Sequence, residues 1–183
     1  MHILVTILLV LIGIIVLLLI AGLFLKKDFH IEASTVISKS TSEVFNYVKL
    51  LKHIDQYNIW AMKDPNMKKT LIGTDGTVGF MFAWDSEDKN AGKGVQEIIK
   101  LKENEQIDYE LRFEKPFKNT AYSSLILESS LPEQTKVTWT FNGVMPYPFN
   151  VMHVLLGLGK MLNRDIATSL QNLKTILEKK INH

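Results

Sequence analysis

The sequence predicts an α+β domain, a curved antiparallel sheet wrapped around one long C-terminal helix, with a single transmembrane helix in front of it. Three observations predict this. The first 25 residues are almost wholly apolar, residues 68–142 alternate with period two between short turns, and residues 149–180 return to apolar intervals of three and four. At 183 residues the chain has room for one domain plus an anchor. A net charge of +2 with basic residues scattered among acids gives no nucleic-acid footprint. The absence of cysteine excludes disulfides, zinc–thiolate sites and a thiol nucleophile.

The anchor comes first. From Ile3 to Leu25 no residue is charged and Thr6 is the lone polar side chain. As a helix this run spans about 35 Å, against a hydrocarbon core of about 30 Å. Each Leu, Ile, Val or Phe favours insertion by roughly 0.3–0.6 kcal/mol at mid-membrane. A soluble core helix of this length would carry a polar stripe. A cleaved signal peptide would have a positive start and small residues at its end. Here only Met1 and His2 precede the run, and Lys26-Lys27 follow it. Residues 1–27 are therefore read as an uncleaved single-pass membrane anchor and 28–183 as the globular domain. The positive-inside rule, applied to Lys26 and Lys27, puts that domain in the cytoplasm.

Residues 29–38 are rich in β-branched side chains and read as a strand. Ser40-Thr41-Ser42-Glu43 is a capping box that starts a helix carrying Val44, Phe45, Val48 and Leu51. A second short helix covers Tyr57 to Met62, and Pro65 ends it. Thr70-Leu71-Ile72 leads into Gly73-Thr74-Asp75-Gly76, a hairpin turn, followed by Phe80, Phe82 and Trp84 in alternation. Val95–Leu101 is the next strand. Then Ile107, Tyr109, Leu111 and Phe113 alternate with Asp108, Glu110, Arg112 and Glu114, one buried face and one wet. Ala121–Leu127 and Val137, Trp139 and Phe141 complete about six strands. Their short connections predict an antiparallel meander. Val151, Leu155, Leu158, Leu162, Ile166, Leu170, Leu173 and Leu177 predict one helix from about 149 to 180. It buries its stripe by crossing the concave face of the sheet, and a helix laid on a curved sheet leaves a space.

This order resembles the SRPBCC superfamily, also called the START-like or helix-grip fold, and in particular its polyketide cyclase/dehydrase and lipid transport branch. The phrases that carry the resemblance are Val36–Val48, Trp84 after an alternating strand, Gly92-x-Gly94, Thr135–Thr140, and the helix following Met145-Pro146. They cover residues 29–181, and the whole is similar to bacterial members with an N-terminal membrane helix. The resemblance implies an internal hydrophobic cavity; the family's activities range from lipid carriage to ring cyclisation.

The residues expected to line the cavity are Trp60, Phe80, Phe82, Trp84, Glu97, Tyr109, Phe113, Trp139, Phe141, Met152 and Leu155. Aromatic and methionine side chains suit an adaptable apolar pocket. Glu97 shares a parity with Val95, Ile99 and Leu101, so it is a candidate inward carboxylate beside Tyr109, with a strand-edge carboxylate reaching water as the plainer reading. No catalytic residue is assigned. His2, His30, His53, His153 and His183 show no metal-binding spacing, so no metal or cofactor is expected. Gly157-Leu158-Gly159-Lys160 lacks the spacing of a phosphate loop. The reading that follows is a monomeric, membrane-tethered, non-catalytic binding or carrier domain for a lipid or other hydrophobic small molecule. A cyclase- or dehydratase-like enzyme would need Glu97, Tyr109 or Arg112 facing inward. A ligand-free interaction or stress-response module would instead show an exposed apolar patch.

Overall fold

The computed structural model describes residues 2–88 and 91–179, without the side chains of His2, Met152, His153 and Val154. Helix α1 (His2–Phe24) is apolar on every face and is long and apolar enough to cross a membrane. Strand β1 (Asp28–Ile37) follows directly. Helix α2 (Thr41–Val48) begins at the expected capping box: the Glu43 N–H donates to Ser40 Oγ, and the Ser40 N–H donates to the Glu43 carboxylate at 3.2 Å. A 3₁₀ turn (Leu51–His53) and the single turns α3 (Ile54–Tyr57) and α4 (Ile59–Met62) lead to the sheet.

The remaining strands are β2 (Lys68–Ile72), β3 (Met81–Asp85), β4 (Lys93–Lys102), β5 (Gln106–Lys115), β6 (Asn119–Leu131) and β7 (Gln134–Val144). They form one antiparallel sheet of seven strands in the order β1-β7-β6-β5-β4-β3-β2, with the expected hairpin arm at Thr70–Ile72 pairing as β2. β2 to β7 make the predicted meander, and β1 closes beside the last strand.

The predicted C-terminal helix is two helices. α5 (Phe149–Leu155) and α6 (Leu158–Lys179) are separated at Gly157, whose φ of 60° is left-handed and halts the first helix. α6 packs against β1 and the α3–α4 turns, burying Ile166, Leu170, Leu173 and Leu177. Full burial of such side chains is worth roughly 1.5–3 kcal/mol each, which fixes the helix on the sheet. This is the helix-grip fold.

The inner face of the sheet divides lengthwise into two halves. At the α2 end, Ile37, Ile98, Ile107, Tyr109, Leu125 and Val137 are packed into a closed core with Val44, Val48 and Leu51. At the other end the same strands present Phe29, Trp84, Gln96, Leu111, Phe113 and Phe141 to open space. α1 joins the sheet at that open end. The Met145 N–H donates to Lys27 O, extending the β1–β7 ladder to the base of α1. Asn150, wholly buried on α5, donates from Nδ2 to Gly22 O at 2.7 Å and Leu25 O at 3.3 Å. It thereby satisfies carbonyls that a helix C-terminus leaves without partners.

Candidate functional site: an uncharged cavity between sheet and helix

The open half of the grip encloses a cavity of about 270 Å³. Its wall is built from every strand except β2, with α4 and α6 closing the side opposite the sheet. Phe82 and Trp84 arrive from β3, Leu111 and Phe113 from β5, Trp139 and Phe141 from β7, Trp60 from α4 and Leu162 from α6. Phe113 and Trp84 meet edge to face at 5.7 Å between ring centroids, and Phe82 stacks on Trp84 at 6.4 Å. The indole lies over Gly94, its cross-strand partner. A Cβ on residue 94 would sit 2.8 Å from the Trp84 ring and 2.6 Å from Arg112 O, so only glycine lets the ring cover the strand there.

All three tryptophans hand their N–H groups to the protein. Trp84 Nε1 donates to Ala91 O at 2.9 Å, Trp60 Nε1 to Asp165 Oδ2 at 3.1 Å, and Trp139 Nε1 to Ser123 Oγ at 2.7 Å. Ser123 in turn donates to Thr140 O at 2.9 Å. The indoles therefore show the cavity their apolar faces. Asn58 turns its oxygen to the N–H groups of Trp60 and Ala61, capping α4. Asn119 bonds the Val144 carbonyl and the Thr120 N–H. No Asp, Glu, His, Lys or Arg lies on the wall among the described residues.

Six of the expected lining residues sit on this wall: Trp60, Phe82, Trp84, Phe113, Trp139 and Phe141. Phe80 and Tyr109 point inward but belong to the closed core, at 2% exposure each. Burial raises the Tyr109 and Tyr57 phenols above their ordinary range, so both are neutral there. The Tyr109 hydroxyl faces Val48 O at 3.4 Å. Leu155 is 60% exposed, because the break at Gly157 turns α5 toward the base of α1. The side chain of Met152 lies outside the described residues.

Glu97 is on the outer face. Its carboxylate accepts from Arg112 Nη2 at 2.8 Å, and Arg112 also pairs with Glu110. The two carboxylates, Glu110 foremost, raise the guanidinium pKa. Inward placement of Glu97 is undone by a β-bulge, and the plainer reading, a carboxylate on the water-facing side, holds. Ile98 opposes Tyr109 but Lys100 opposes Asp108, so Ile99 is extra and Leu101 regains the inner face. Leu101 is thus in phase with Ile98 and Gln96, not with Glu97. Sequence reasoning missed several wall residues, Phe29, Leu111, Ser123 and Leu162 among them, and above all Gln96, buried at 7% exposure. The alternation Gly94, Gln96, Ile98 would have found it had the bulge been recognised.

No family model and no curated protein matches the sequence. Solved structures do match by shape. The di-domain ARO/CYC StfQ from the steffimycin biosynthetic pathway matches with a TM-score of 0.64 at 9% identity, over 86% of this chain and 53% of that one. The protein TTHA0849 from Thermus thermophilus gives 0.61 at 12% identity, over 84% of this chain and 100% of its own. A norcoclaurine synthase from Thalictrum flavum, solved with a transition-state analogue, gives 0.59 at 12% identity, over 81% and 96%. At these identities the likeness is one of fold, and it agrees with the helix-grip architecture described above.

Proposed function

We propose that this chain is a membrane-tethered, non-catalytic binding or carrier domain for a lipid-like or other hydrophobic small molecule, acting as a monomer. The observation that carries the proposal is the uncharged aromatic cavity at the end of the sheet where α1 is attached. A pocket lined by ring faces and aliphatic carbons gains by removing apolar surface from water, about 25 cal/mol per Å². Anchoring through α1, with Asn150 closing its last turn, keeps the pocket beside a ligand dissolved in the bilayer. Lys26 and Lys27 favour the cytoplasmic side. The three residues that acid–base chemistry was expected to use stand away from the cavity, Glu97 and Arg112 on the outer face and Tyr109 in the packed core.

The test is native mass spectrometry of the full chain in detergent, followed by organic extraction and exposure of the emptied protein to a lipid extract. A stoichiometric apolar adduct, either retained or taken up, is the expected result. A protein that carries nothing and takes up nothing overturns the proposal.

A further inference from the structure

Gln96 stands apart from every other polar residue on the cavity wall. The indole N–H groups, Ser123 and Asn119 are satisfied within the protein, and Asn58 commits its oxygen to α4. Gln96 is the one wall residue whose side-chain polar atoms all lack a hydrogen bond among the described residues. It projects inward from β4 between its cross-strand neighbours Phe82 and Leu111, both apolar. A primary amide carries two donors and an acceptor oxygen; here they face the cavity, where only its contents can meet them. Water in the empty cavity can meet this amide, but a ligand that expels the water must replace its hydrogen bond or leave the amide without a partner.

We propose that the cavity takes an uncharged apolar molecule bearing one neutral hydrogen-bonding group, a hydroxyl or a carbonyl, which docks on the Gln96 amide. This rests on reading the cavity as a binding site. A pure hydrocarbon would bury Gln96 without a partner. A carboxylate or ammonium would lose its hydration and meet no opposite charge on the wall. Size narrows the part held inside: about 270 Å³ equals the liquid volume of about nine waters, room for one compact ring system or one end of a chain.

Three probes of one shape separate these cases: fluoronaphthol, fluoronaphthalene and fluoronaphthoate. Binding to the full chain in detergent micelles is followed by fluorine NMR, with empty micelles as the partition control. Fluoronaphthol is expected to bind at least about tenfold tighter than either of the others, and Gln96→Leu is expected to bring fluoronaphthol and fluoronaphthalene within about twofold. Equal affinities for these two in the wild type, a ratio unchanged by Gln96→Leu, or tightest binding of fluoronaphthoate overturns the inference. The wild-type ratios decide it even if the variant does not fold. Failure of all three probes to bind overturns the binding-site reading itself, and the inference with it.

Discussion

Ala61→Leu distinguishes an open cavity from a filled one by the sign of its effect on stability. Ala61 lies on α4 with its side chain on the cavity wall, half-buried and packed against the core. Leucine and alanine differ little in helix propensity, so the backbone contributes little. Three added carbons at about 0.8 kcal/mol each give about 2.4 kcal/mol of transfer free energy if they enter existing space. Ordering the leucine side chain costs roughly 0.5–1 kcal/mol. The net is a stabilisation of about 1.5 kcal/mol, which raises Tm by about 3–6 °C for a chain of this size. The assay is thermal unfolding of delipidated protein by circular dichroism, with capture of an apolar probe measured alongside. Capture should weaken as Tm rises. A destabilisation of about 1–3 kcal/mol, the signature of overpacking, would refute the reasoning, because the leucine would then be displacing atoms already there.

Gly94→Ala drives a methyl into the Trp84 ring and the Arg112 carbonyl, so a loss of about 1–3 kcal/mol and a shifted tryptophan emission are expected in denaturant titrations. Ser40→Ala removes the cap of α2 and should cost about 1 kcal/mol in the same titrations. Tyr57 and Tyr109 have folded pKa values above the unfolded value of 10.0 because they are buried. The folded state then holds protons that the unfolded state releases, so their contribution to stability is complete below about pH 10 and falls above it. Phenolate absorbance from these two should appear only together with loss of the far-ultraviolet dichroism. Single cysteines introduced by Leu156→Cys and Thr175→Cys, clean labelling sites in a chain without native cysteine, test how the domain sits on the bilayer. Leu156 is 61% exposed just past α5, the helix whose Asn150 bonds the last turn of α1, so a dye there should be quenched by shallow lipid quenchers while one on Thr175 should not. Equal quenching at the two sites would remove the membrane-facing orientation.

Local rules made most of the fold legible. The capping box at Ser40–Glu43, the alternation through Ile107–Phe113 and the spacing from Ile166 to Leu177 each record a surface that one element must bury, and each appears as expected. What failed were single-residue deviations from periodicity. One extra residue at Ile99 moved Glu97 from the inner face to the outer, and one left-handed glycine at 157 split the final helix and freed Leu155. Composition pointed to the aromatic wall, but it did not separate residues that close the core from residues that border the cavity. Phe80 and Phe82 sit two apart on one face, yet the first is sealed in the core while the second lines the open space. That division depends on how far α2 and α6 cover the sheet, a property of the packed whole.

The three tryptophans of the chain all stand on the cavity wall, so their emission reports on its contents with no background from elsewhere in the chain. The most direct test of the central claim is therefore quenching of tryptophan fluorescence by bromobenzene, a neutral apolar heavy-atom probe, in liposomes holding the full chain. The account predicts saturable, one-to-one quenching that weakens in Ala61→Leu. Quenching that rises linearly without saturation, as for a free tryptophan ester in the same liposomes, would contradict it.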